Sequence, residues 1–410
     1  MTGSIQEQAE HLGQGIEIMI PPGGLAQKLT LAEKEGRPLV VKLGFDPTAP
    51  DLHIGHAVVL KKMREFQQAG HKVVVIVGDF TTKIGDPTGR NTLRPPLTDA
   101  QIEENAKTYI EQLGKILDIS KIEVRRNSDW LSPMTFADVI RVVSKVTLAQ
   151  LLQREDFSNR YAGNIPIHMH ELLYPMVQGQ DSVEIKADIE MGGTDQLFNC
   201  QMGRVLQEHN GMPAQIVLSM PLLVGLDGKD KMSKSKKNYI GLTDAPGDMY
   251  GKAMSIPDEA LPSYLDLATN FAVEEVRAIK AGLVDGSAHP MDIKKKIAKN
   301  IVAQYHDAAA AEAAENYFVA QFQNKDAEKK AYKPLRFADA EGGAGVAVSL
   351  LSLCVAAEPT LSKSQIRRLI ADNAVAVDGV KITDPNAMIQ TNNGDVKIKI
   401  GKMGFFVFQG

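Results

Sequence analysis

Leu39-Val-Val-Lys-Leu-Gly-Phe-Asp-Pro-Thr-Ala-Pro-Asp-Leu-His-Ile-Gly-His-Ala-Val-Val-Leu60 is the stretch of sequence that decides how this chain folds. Its apolar, β-branched beginning predicts a strand over residues 39–45, which an Asp-Pro pair ends. Asp51 is suited to cap a helix that continues to Gln68. The pattern therefore predicts a strand, a turn and a helix in succession.

Two histidines lie in the first turns of this predicted helix. His53 and His56 are three residues apart, so they share one face near helix amides whose partial positive charge suits phosphate. Gly55 leaves bare backbone on which a flat base can pack, and Gly44 lets a ligand approach the end of the strand. The pattern favours a nucleotide site, but four such residues also occur by chance at the start of a surface helix.

Composition limits the class of protein. The 410 residues are enough for two or three domains, and a net charge of -4 gives no overall attraction to nucleic acid, so any RNA contact must come from local basic patches. With only Cys200 and Cys354, a disulfide framework or a cysteine-built zinc site is not expected, which suits a reducing cytosol. The N-terminus does not resemble a signal peptide and no apolar run would span a bilayer. We expect a cytoplasmic protein without membrane contact.

The first 240 residues have the pattern of an open α/β domain. Val73–Val77 is a continuous apolar run, typical of a strand buried in a parallel sheet, and its order after the first strand and helix implies a right-handed crossover. Residues 98–171 alternate helical patterns with polar turns, which predicts a helical insertion between two halves of the sheet. Strand character resumes at 216–220 and 222–224.

The remainder of the chain predicts two smaller domains. Residues 241–330 are helical and rich in Ala, Lys and Glu, and glycines with a proline predict a flexible linker over 331–344. Residues 345–410 combine a short helix with a hairpin at 375–382, whose Asp-Gly turn is typical of two-residue connections, and with two further strands.

Two glycine-rich loops follow predicted strands, where open α/β sheets bind ligands. The first, residues 78–94, lacks the Lys-Ser/Thr pair of a P-loop, which disfavours an ordinary kinase or ATPase. The second, residues 225–237, carries lysines and serines suited to polyphosphate charge that grows in a transition state. A solvated charge run is the commoner explanation of such a stretch taken alone. The residues concerned are Lys231, Ser233, Lys234 and Ser235.

The two motifs His53-Ile-Gly-His56 and Lys231-Met-Ser-Lys-Ser235 together resemble the signatures of class I aminoacyl-tRNA synthetases. Finer matches resemble the tyrosyl-tRNA synthetases over nearly the whole chain. They are Gly44-Phe-Asp-Pro-Thr48, Gly85-Asp-Pro-Thr-Gly89, Tyr174 with Gln178 and Asp181, and Gly192-Gly-Thr-Asp-Gln196. The resemblance implies a Rossmann-like parallel-sheet catalytic domain with a helical insertion, an α-helical anticodon-binding domain and a small α+β domain similar to the S4 RNA-binding module.

The resemblance also implies the reaction. ATP would activate L-tyrosine to tyrosyl-adenylate with loss of pyrophosphate, and tyrosine would pass to the 3' end of tRNA(Tyr), in a homodimer. Mg2+ would travel with ATP, without a metal site in the protein. Positioning and charge do most of the work in phosphoryl transfer. The expected catalytic residues are His53, His56, Thr48, Lys231, Lys234, Arg90 and Arg94, and the expected ATP-binding residues are Gly55, Gly192, Asp195, Ser233 and Ser235.

Tyr174, Gln178 and Asp181 are spaced to share one face of a helix. By the resemblance, Asp181 accepts the phenolic hydroxyl, so phenylalanine would leave it unpaired, a discrimination for which tyrosyl-tRNA synthetase is the standard example. Tyr174, Gln178 and Asp86 would hold the α-ammonium group. The full set expected to bind tyrosine is Gly44, Asp46, Asp86, Tyr174, Gln178, Asp181 and Gln196, and Arg367 and Arg368 are expected to bind tRNA.

Two positions depart from the family pattern, and three other functions are open. Lys42 stands where many tyrosyl enzymes have a tyrosine that contacts the substrate hydroxyl, and Gln180 replaces a common aromatic residue. A tryptophanyl-tRNA synthetase shares the motifs, but Asp181 and the terminal module disfavour it. A nucleotidyltransferase would not need the two C-terminal domains. A catalytically inactive RNA-binding protein would not need both intact motifs.

Overall fold

The computed structural model describes residues 3–87, 97–323, 332–340, 347–359, 361–390, 394–401 and 404–409. The chain divides into two compact units, Met1–Ala311 and Glu312–Gly410. Within the described ranges, no helix has the length and apolar character needed to cross a membrane.

A six-stranded sheet forms the centre of the first unit. Its strands, in chain order, are β1 (Ile18–Ile20), β2 (Val40–Phe45), β3 (Lys72–Val77), β4 (Ile122–Arg126), β5 (Ile189–Gly193) and β6 (Ile216–Met220). Their spatial order is β1-β6-β5-β2-β3-β4, and all neighbours are parallel except β1, which pairs antiparallel with β6 at one edge. The parallel α/β sheet predicted from the sequence is confirmed.

Helices connect these strands and extend beyond them. They are α1 (Ile5–Gly13), α2 (Gly24–Glu35), α3 (Ile54–Gln68), α4 (Thr81–Ile84), α5 (Asp99–Leu113), α6 (Ser128–Leu131), α7 (Phe136–Val143), α8 (Leu148–Leu151), α9 (Glu155–Ala162), α10 (Met169–Glu184), α11 (Leu197–His209), α12 (Pro246–Met254), α13 (Leu261–Leu267), α14 (Val273–Asp285), α15 (Pro290–Tyr305) and α16 (Ala308–Phe318). The helical character expected for residues 241–330 is confirmed for the part that the structure describes, where α12 to α16 lie.

The start of α3 differs from the expectation. His53, not Asp51, is the N-cap residue. The backbone stays extended up to this point because His53 pairs with Gly241 in an isolated antiparallel bridge and Leu52 O accepts from Leu242 N at 2.9 Å. This pairing brings the segment that follows the lysine-rich loop against the first motif.

Two other expectations about strands were wrong. The stretch 98–171 was expected to be largely helical, and no strand was predicted in it, but β4 adds a sheet strand beside β3. Its Glu and Arg side chains are half-buried at the sheet edge, so the segment does not show the apolar run of a central strand. Residues 222–224 form no strand; Val224 makes only an isolated bridge to Lys231.

The described residues of the second unit contain the end of α16, a five-stranded sheet, a two-stranded sheet and two further α-helices. Its elements are β7 (Lys333–Arg336), β8 (Ala347–Ser349), α17 (Leu350–Ala357), α18 (Lys363–Ala371), β9 (Val375–Val377), β10 (Val380–Lys381), β11 (Met388–Gln390), β12 (Val396–Ile400) and β13 (Gly404–Gln409). The predicted hairpin is confirmed as β9 and β10. The stretch expected to be a flexible linker contains β7, which pairs with β13, and Phe337, which packs in the core of this unit.

Candidate active site

A cleft of about 580 Å³ opens where β2, β3 and β5 end. Parallel sheets commonly bind ligands at this edge, because loops from neighbouring strands diverge there. Every residue expected to act on ATP or tyrosine that the structure describes lines the cleft. They are Gly44, Asp46, Thr48, His53, Gly55, His56, Asp86, Tyr174, Gln178, Asp181, Gly192, Asp195, Gln196, Lys231, Ser233, Lys234 and Ser235.

The two histidines of the first motif are in contact, with ring centroids 3.8 Å apart. The backbone N–H of His53 donates to Nδ1 of His56 at 3.2 Å, so a neutral His56 carries its proton on Nε2. Burial lowers the pKa of His56 to about 3 and lowers that of His53 even further. Both imidazoles are therefore neutral at pH 7 and can donate hydrogen bonds without carrying charge.

The lysine-rich loop closes over one end of the cleft. Asn238 organises it by accepting from Ser233 N at 2.8 Å and donating to Asp227 at 2.5 Å. Lys231 forms an ion pair with Asp195, and Lys234 donates to the hydroxyl of Tyr109 at 3.0 Å. Two ammonium groups thus line the same cleft as the histidine pair, which makes this end of the cleft suited to polyphosphate.

At the other end, Asp181 lies at the bottom of a polar pocket. Its carboxylate accepts from Trp130 Nε1 at 2.9 Å and from Asn127 Nδ2 at 3.4 Å, and burial raises its pKa to about 7. Asn127 also donates to Thr81, whose hydroxyl donates to Asp46 at 2.6 Å. This chain of hydrogen bonds fixes the Asp181 carboxylate on the cleft side of α10.

Between the two ends lies a cluster of acceptor groups. The hydroxyl of Tyr174 donates to Asp46 Oδ2 at 2.9 Å, and burial raises the Tyr174 pKa, so this hydroxyl stays protonated. Asp86 accepts from Gln196 Nε2 at 2.9 Å and from Arg154 at 3.2 Å. The cluster combines anionic and lone-pair acceptors, which fits a cationic group of a ligand.

Lys42 is not among the side chains that line the cleft. It is fully buried, and its Nζ donates to Glu190 Oε1 at 2.9 Å, to Ser182 Oγ at 2.8 Å and to the backbone oxygen of Gln178 at 3.1 Å. These contacts use all three donors of the ammonium group.

Two predicted residue pairs lie outside the cleft description. Arg90 and Arg94 lie outside the described residues, so their expected role stays a prediction. Arg367 and Arg368 lie on α18 of the second unit, where both are exposed while Ile366 and Ile370 on the same helix are buried. The absence of a metal site in the protein stays a prediction; within the described ranges no group of three or more His, Cys, Asp or Glu side chains could hold a metal ion.

Sequence reasoning missed several residues that hold the site together. Trp130, Asn127 and Arg154 come from the insertion, and Glu190 from β5. Trp130 had one available signal, since it is the single tryptophan of the chain. The other three have ordinary polar side chains whose importance depends on which strands and helices meet.

Comparison with known proteins identifies families for both parts of the chain. Residues 34–323 match the family described as tRNA synthetases class I (W and Y). Residues 350–394 match the S4 domain, which includes both arginines of α18.

Close relatives match almost end to end. "Tyrosine--tRNA ligase 2" of Photorhabdus laumondii is 52% identical over 398 residues, which are 97% of this chain and 98% of the relative. "Tyrosine--tRNA ligase" of Moorella thermoacetica is 46% identical over 401 residues, covering 98% of this chain and 95% of the relative.

Solved structures share the fold. The crystal structure of a tyrosyl-tRNA synthetase from Archaeoglobus fulgidus complexed with L-tyrosine has a TM-score of 0.62 at 22% identity and covers 75% of this chain and 99% of that one. A C-terminally truncated mitochondrial tyrosyl-tRNA synthetase from Aspergillus nidulans has a TM-score of 0.61 at 20% identity, and the match covers 76% of this chain and 92% of that one.

Proposed function

The chain belongs to the tyrosyl-tRNA synthetases of class I, and we propose a role in their reaction for each part of its cleft. The activity is that of a tyrosine--tRNA ligase. L-tyrosine and ATP give tyrosyl-adenylate and pyrophosphate, and tyrosine then passes to the 3' end of tRNA(Tyr). The observation that best supports the proposed roles is one cleft with cationic groups at one end and a buried carboxylate acceptor at the other.

The phosphate end acts by charge and positioning. His53 and His56 donate to ATP as neutral imidazoles, and Thr48 adds a hydroxyl donor. Lys231 and Lys234 neutralise the charge that develops on the departing pyrophosphate, a type of contact that strengthens as the transition state forms. Arg90 and Arg94, which lie outside the described residues, complete the proposed set. Mg2+ enters with ATP as part of the substrate.

ATP binding in the proposal also uses the opposite wall. Lys231 leaves its ion pair with Asp195 when ATP binds, which frees the carboxylate to accept from the ribose hydroxyls. Gly55 and Gly192 line the cleft without side chains, which gives the base and ribose close access to the backbone. Ser233 and Ser235 of the loop donate to phosphate oxygens.

The middle of the cleft receives the amino-acid backbone. The Tyr174 hydroxyl donates a hydrogen bond to Asp46, so its lone pairs are left to accept from the α-ammonium group. Asp86 contributes the negative charge, and Gln178 contributes an amide oxygen. Gln196, held by Asp86, lies at the carboxylate side, and Gly44 leaves the end of β2 open to the substrate.

Asp181 selects tyrosine at the far end of the cleft. Its carboxylate is held by Trp130 and Asn127 and accepts the phenolic O–H. Phenylalanine would leave this buried acceptor unpaired, and tyrosyl-tRNA synthetase is the standard example of that discrimination. Tryptophan has no hydroxyl for Asp181, which makes tryptophan activation the second candidate rather than the first.

RNA binding is assigned to the C-terminal parts of the chain. We assign residues 241–330 to the anticodon arm and residues 345–410, the S4-like part, to a further RNA contact. Arg367 and Arg368 are exposed on α18, so they are free to contact tRNA phosphates, which position RNA without specifying sequence.

A homodimer is part of the proposal and is supported by exposed apolar side chains in the insertion. Phe136 is 80% exposed, Leu148 57% and Met169 77%. Several large apolar side chains exposed within one insertion are typical of a surface that contacts another protein. The reaction would take place in the cytoplasm, where tRNA is charged. Equilibrium sedimentation of the chain should give twice the 44.6 kDa mass of one copy, and a monomer would exclude the dimer.

The proposed activation roles are tested by ATP–pyrophosphate exchange on the full chain with tyrosine, tryptophan and phenylalanine in parallel. Exchange with tyrosine alone is expected. Exchange with tryptophan would remove the assigned role of Asp181, and no exchange with any of the three would overturn the assignment of the cleft to amino-acid activation.

A further inference from the structure

An ion pair beside the cleft has no part in the reaction described so far. Lys42 on β2 and Glu190 on β5 are 2.9 Å apart, and their side chains are 0% and 2% exposed. A buried ion pair is often no more stabilising than an apolar pair of similar volume, because both charges lose their water. Stability alone therefore does not explain why this pair lies here.

Glu190 is held from several sides. Its Oε1 accepts from Lys42, and its Oε2 accepts from Ser182 Oγ at 3.0 Å and from Gln215 Nε2 at 2.5 Å. Gly203 on α11 makes the room, since a Cβ there would lie 3.0 Å from Glu190 Oε2 and 2.2 Å from Gln215 Nε2. The carboxylate is therefore fixed in one position.

The same carboxylate fixes the amide of Gln178. Nε2 of Gln178 donates to Glu190 Oε1 at 3.1 Å. A carboxylate only accepts hydrogen bonds, so it selects the NH2 end of the amide and turns the carbonyl oxygen away from itself. Gln178 lines the cleft, and an α-ammonium group, which only donates, needs that carbonyl oxygen.

We propose that Glu190 and Lys42 are positioning residues for amino-acid binding. Glu190 orients Gln178 so that its carbonyl oxygen accepts from the α-ammonium group of tyrosine, and Lys42 supplies the buried positive charge that keeps Glu190 in place. The inference rests on the proposed assignment of Gln178 to the ammonium group. In this chain Lys42 thus serves the ammonium end of the substrate, and its three donors leave none for the phenol.

The test replaces the ion pair with apolar side chains in the variant Lys42→Met/Glu190→Met. Such a replacement is expected to keep the fold, because neither charge is left alone. In ATP–pyrophosphate exchange, KM for tyrosine should rise roughly tenfold or more, the scale of one hydrogen bond to a charged group, while KM for ATP stays unchanged. Thermal unfolding checks that the variant is folded.

A substrate analogue separates orientation of Gln178 from general damage. 3-(4-Hydroxyphenyl)propionate has the phenol and carboxylate of tyrosine but no α-amino group. Its inhibition constant should be the same for the wild type and the double variant. A matched variant, Lys42→Met/Glu190→Gln, keeps an acceptor oxygen for Gln178 and should recover most of the affinity for tyrosine.

Two outcomes overturn the inference: equal weakening of tyrosine and the analogue, or an unchanged KM for tyrosine. If the double methionine variant does not fold, Glu190→Asp tests the same inference. It keeps the negative charge next to Lys42 but moves the carboxylate away from Gln178. Its KM for tyrosine should rise while analogue binding persists, and the two overturning outcomes apply to it unchanged. Failure of the proposed function is distinct, since the wild type would then show no tyrosine-dependent exchange.

Discussion

Replacing Asp181 with asparagine tests whether a buried carboxylate selects tyrosine. The side chain is buried and accepts from both Trp130 and Asn127. Asparagine has the same shape but one acceptor oxygen, so its NH2 group must face a donor. The phenol of tyrosine then loses its charged acceptor, a hydrogen bond worth about 1.5–3 kcal/mol. We expect kcat/KM for tyrosine to fall by roughly 10- to 150-fold.

The ratio of kcat/KM for tyrosine to kcat/KM for phenylalanine should fall by more than kcat/KM for tyrosine alone, because asparagine leaves no buried charge unpaired when phenylalanine binds. The assay is ATP–pyrophosphate exchange with tyrosine and with phenylalanine at pH 7.5. Glu184→Gln is the matched control, since it removes one carboxylate from an exposed position of the same helix. A folded Asp181→Asn variant with unchanged discrimination between tyrosine and phenylalanine would refute the assigned role.

The same variant should change stability with a definite sign. The pKa of Asp181 is raised from 3.8 to about 7 by burial, so the folded state holds the proton more tightly than the unfolded chain does. The contribution of Asp181 to the stability of the fold is fully present below about pH 4 and is lost as pH rises through about 7. The difference between the two pKa values corresponds to a loss of roughly 4 kcal/mol in the free energy of unfolding above pH 7. Thermal unfolding at pH 5 and pH 8 should therefore show the wild type losing stability relative to Asp181→Asn as pH rises.

Three further changes give separable results. Lys234→Ala should lower kcat of exchange by roughly 100-fold or more, with little change in KM for tyrosine, because its charge acts in the transition state; an unchanged kcat in steady-state exchange would exclude that role. Tyr174→Phe removes a lone-pair acceptor for the α-ammonium group, so titration with tyrosine should show about tenfold weaker binding, and unchanged affinity would contradict the assignment. Replacing both Arg367 and Arg368 with alanine should raise KM for tRNA in aminoacylation and leave tyrosine-dependent exchange unaffected; a loss of exchange would point to a different role.

Local patterns predicted much of the fold and the cleft. The apolar run at 73–77 indicated a strand buried in a parallel sheet, and the spacing of Tyr174, Gln178 and Asp181 placed all three on one helix, α10. These features depend on the period of a strand or helix, which can be recognised within one continuous segment of sequence. The same reasoning failed for β4, because an edge strand with charged side chains looks like a polar turn between helices.

Features that depend on tertiary contacts were not predictable. The cap of α3 shifted from Asp51 to His53 because Gly241, far along the chain, pairs with that residue. The direction of Lys42 was open in the sequence, since it depends on Glu190 and Ser182 arriving from other elements. The hydrogen bond from Trp130 to Asp181 was not predictable for the same reason. Residues of this kind hold the binding groups in place, and the sequence around them does not indicate that role.

The most direct test of the central claim is to trap the intermediate. The purified chain is mixed with labelled ATP, Mg2+ and tyrosine in the absence of tRNA, quenched, and its nucleotides are separated. We predict bound tyrosyl-adenylate with one pyrophosphate released per adenylate, and release of AMP with charged tRNA only after tRNA(Tyr) is added. Formation of ADP, or no adenylate with tyrosine, would contradict the account.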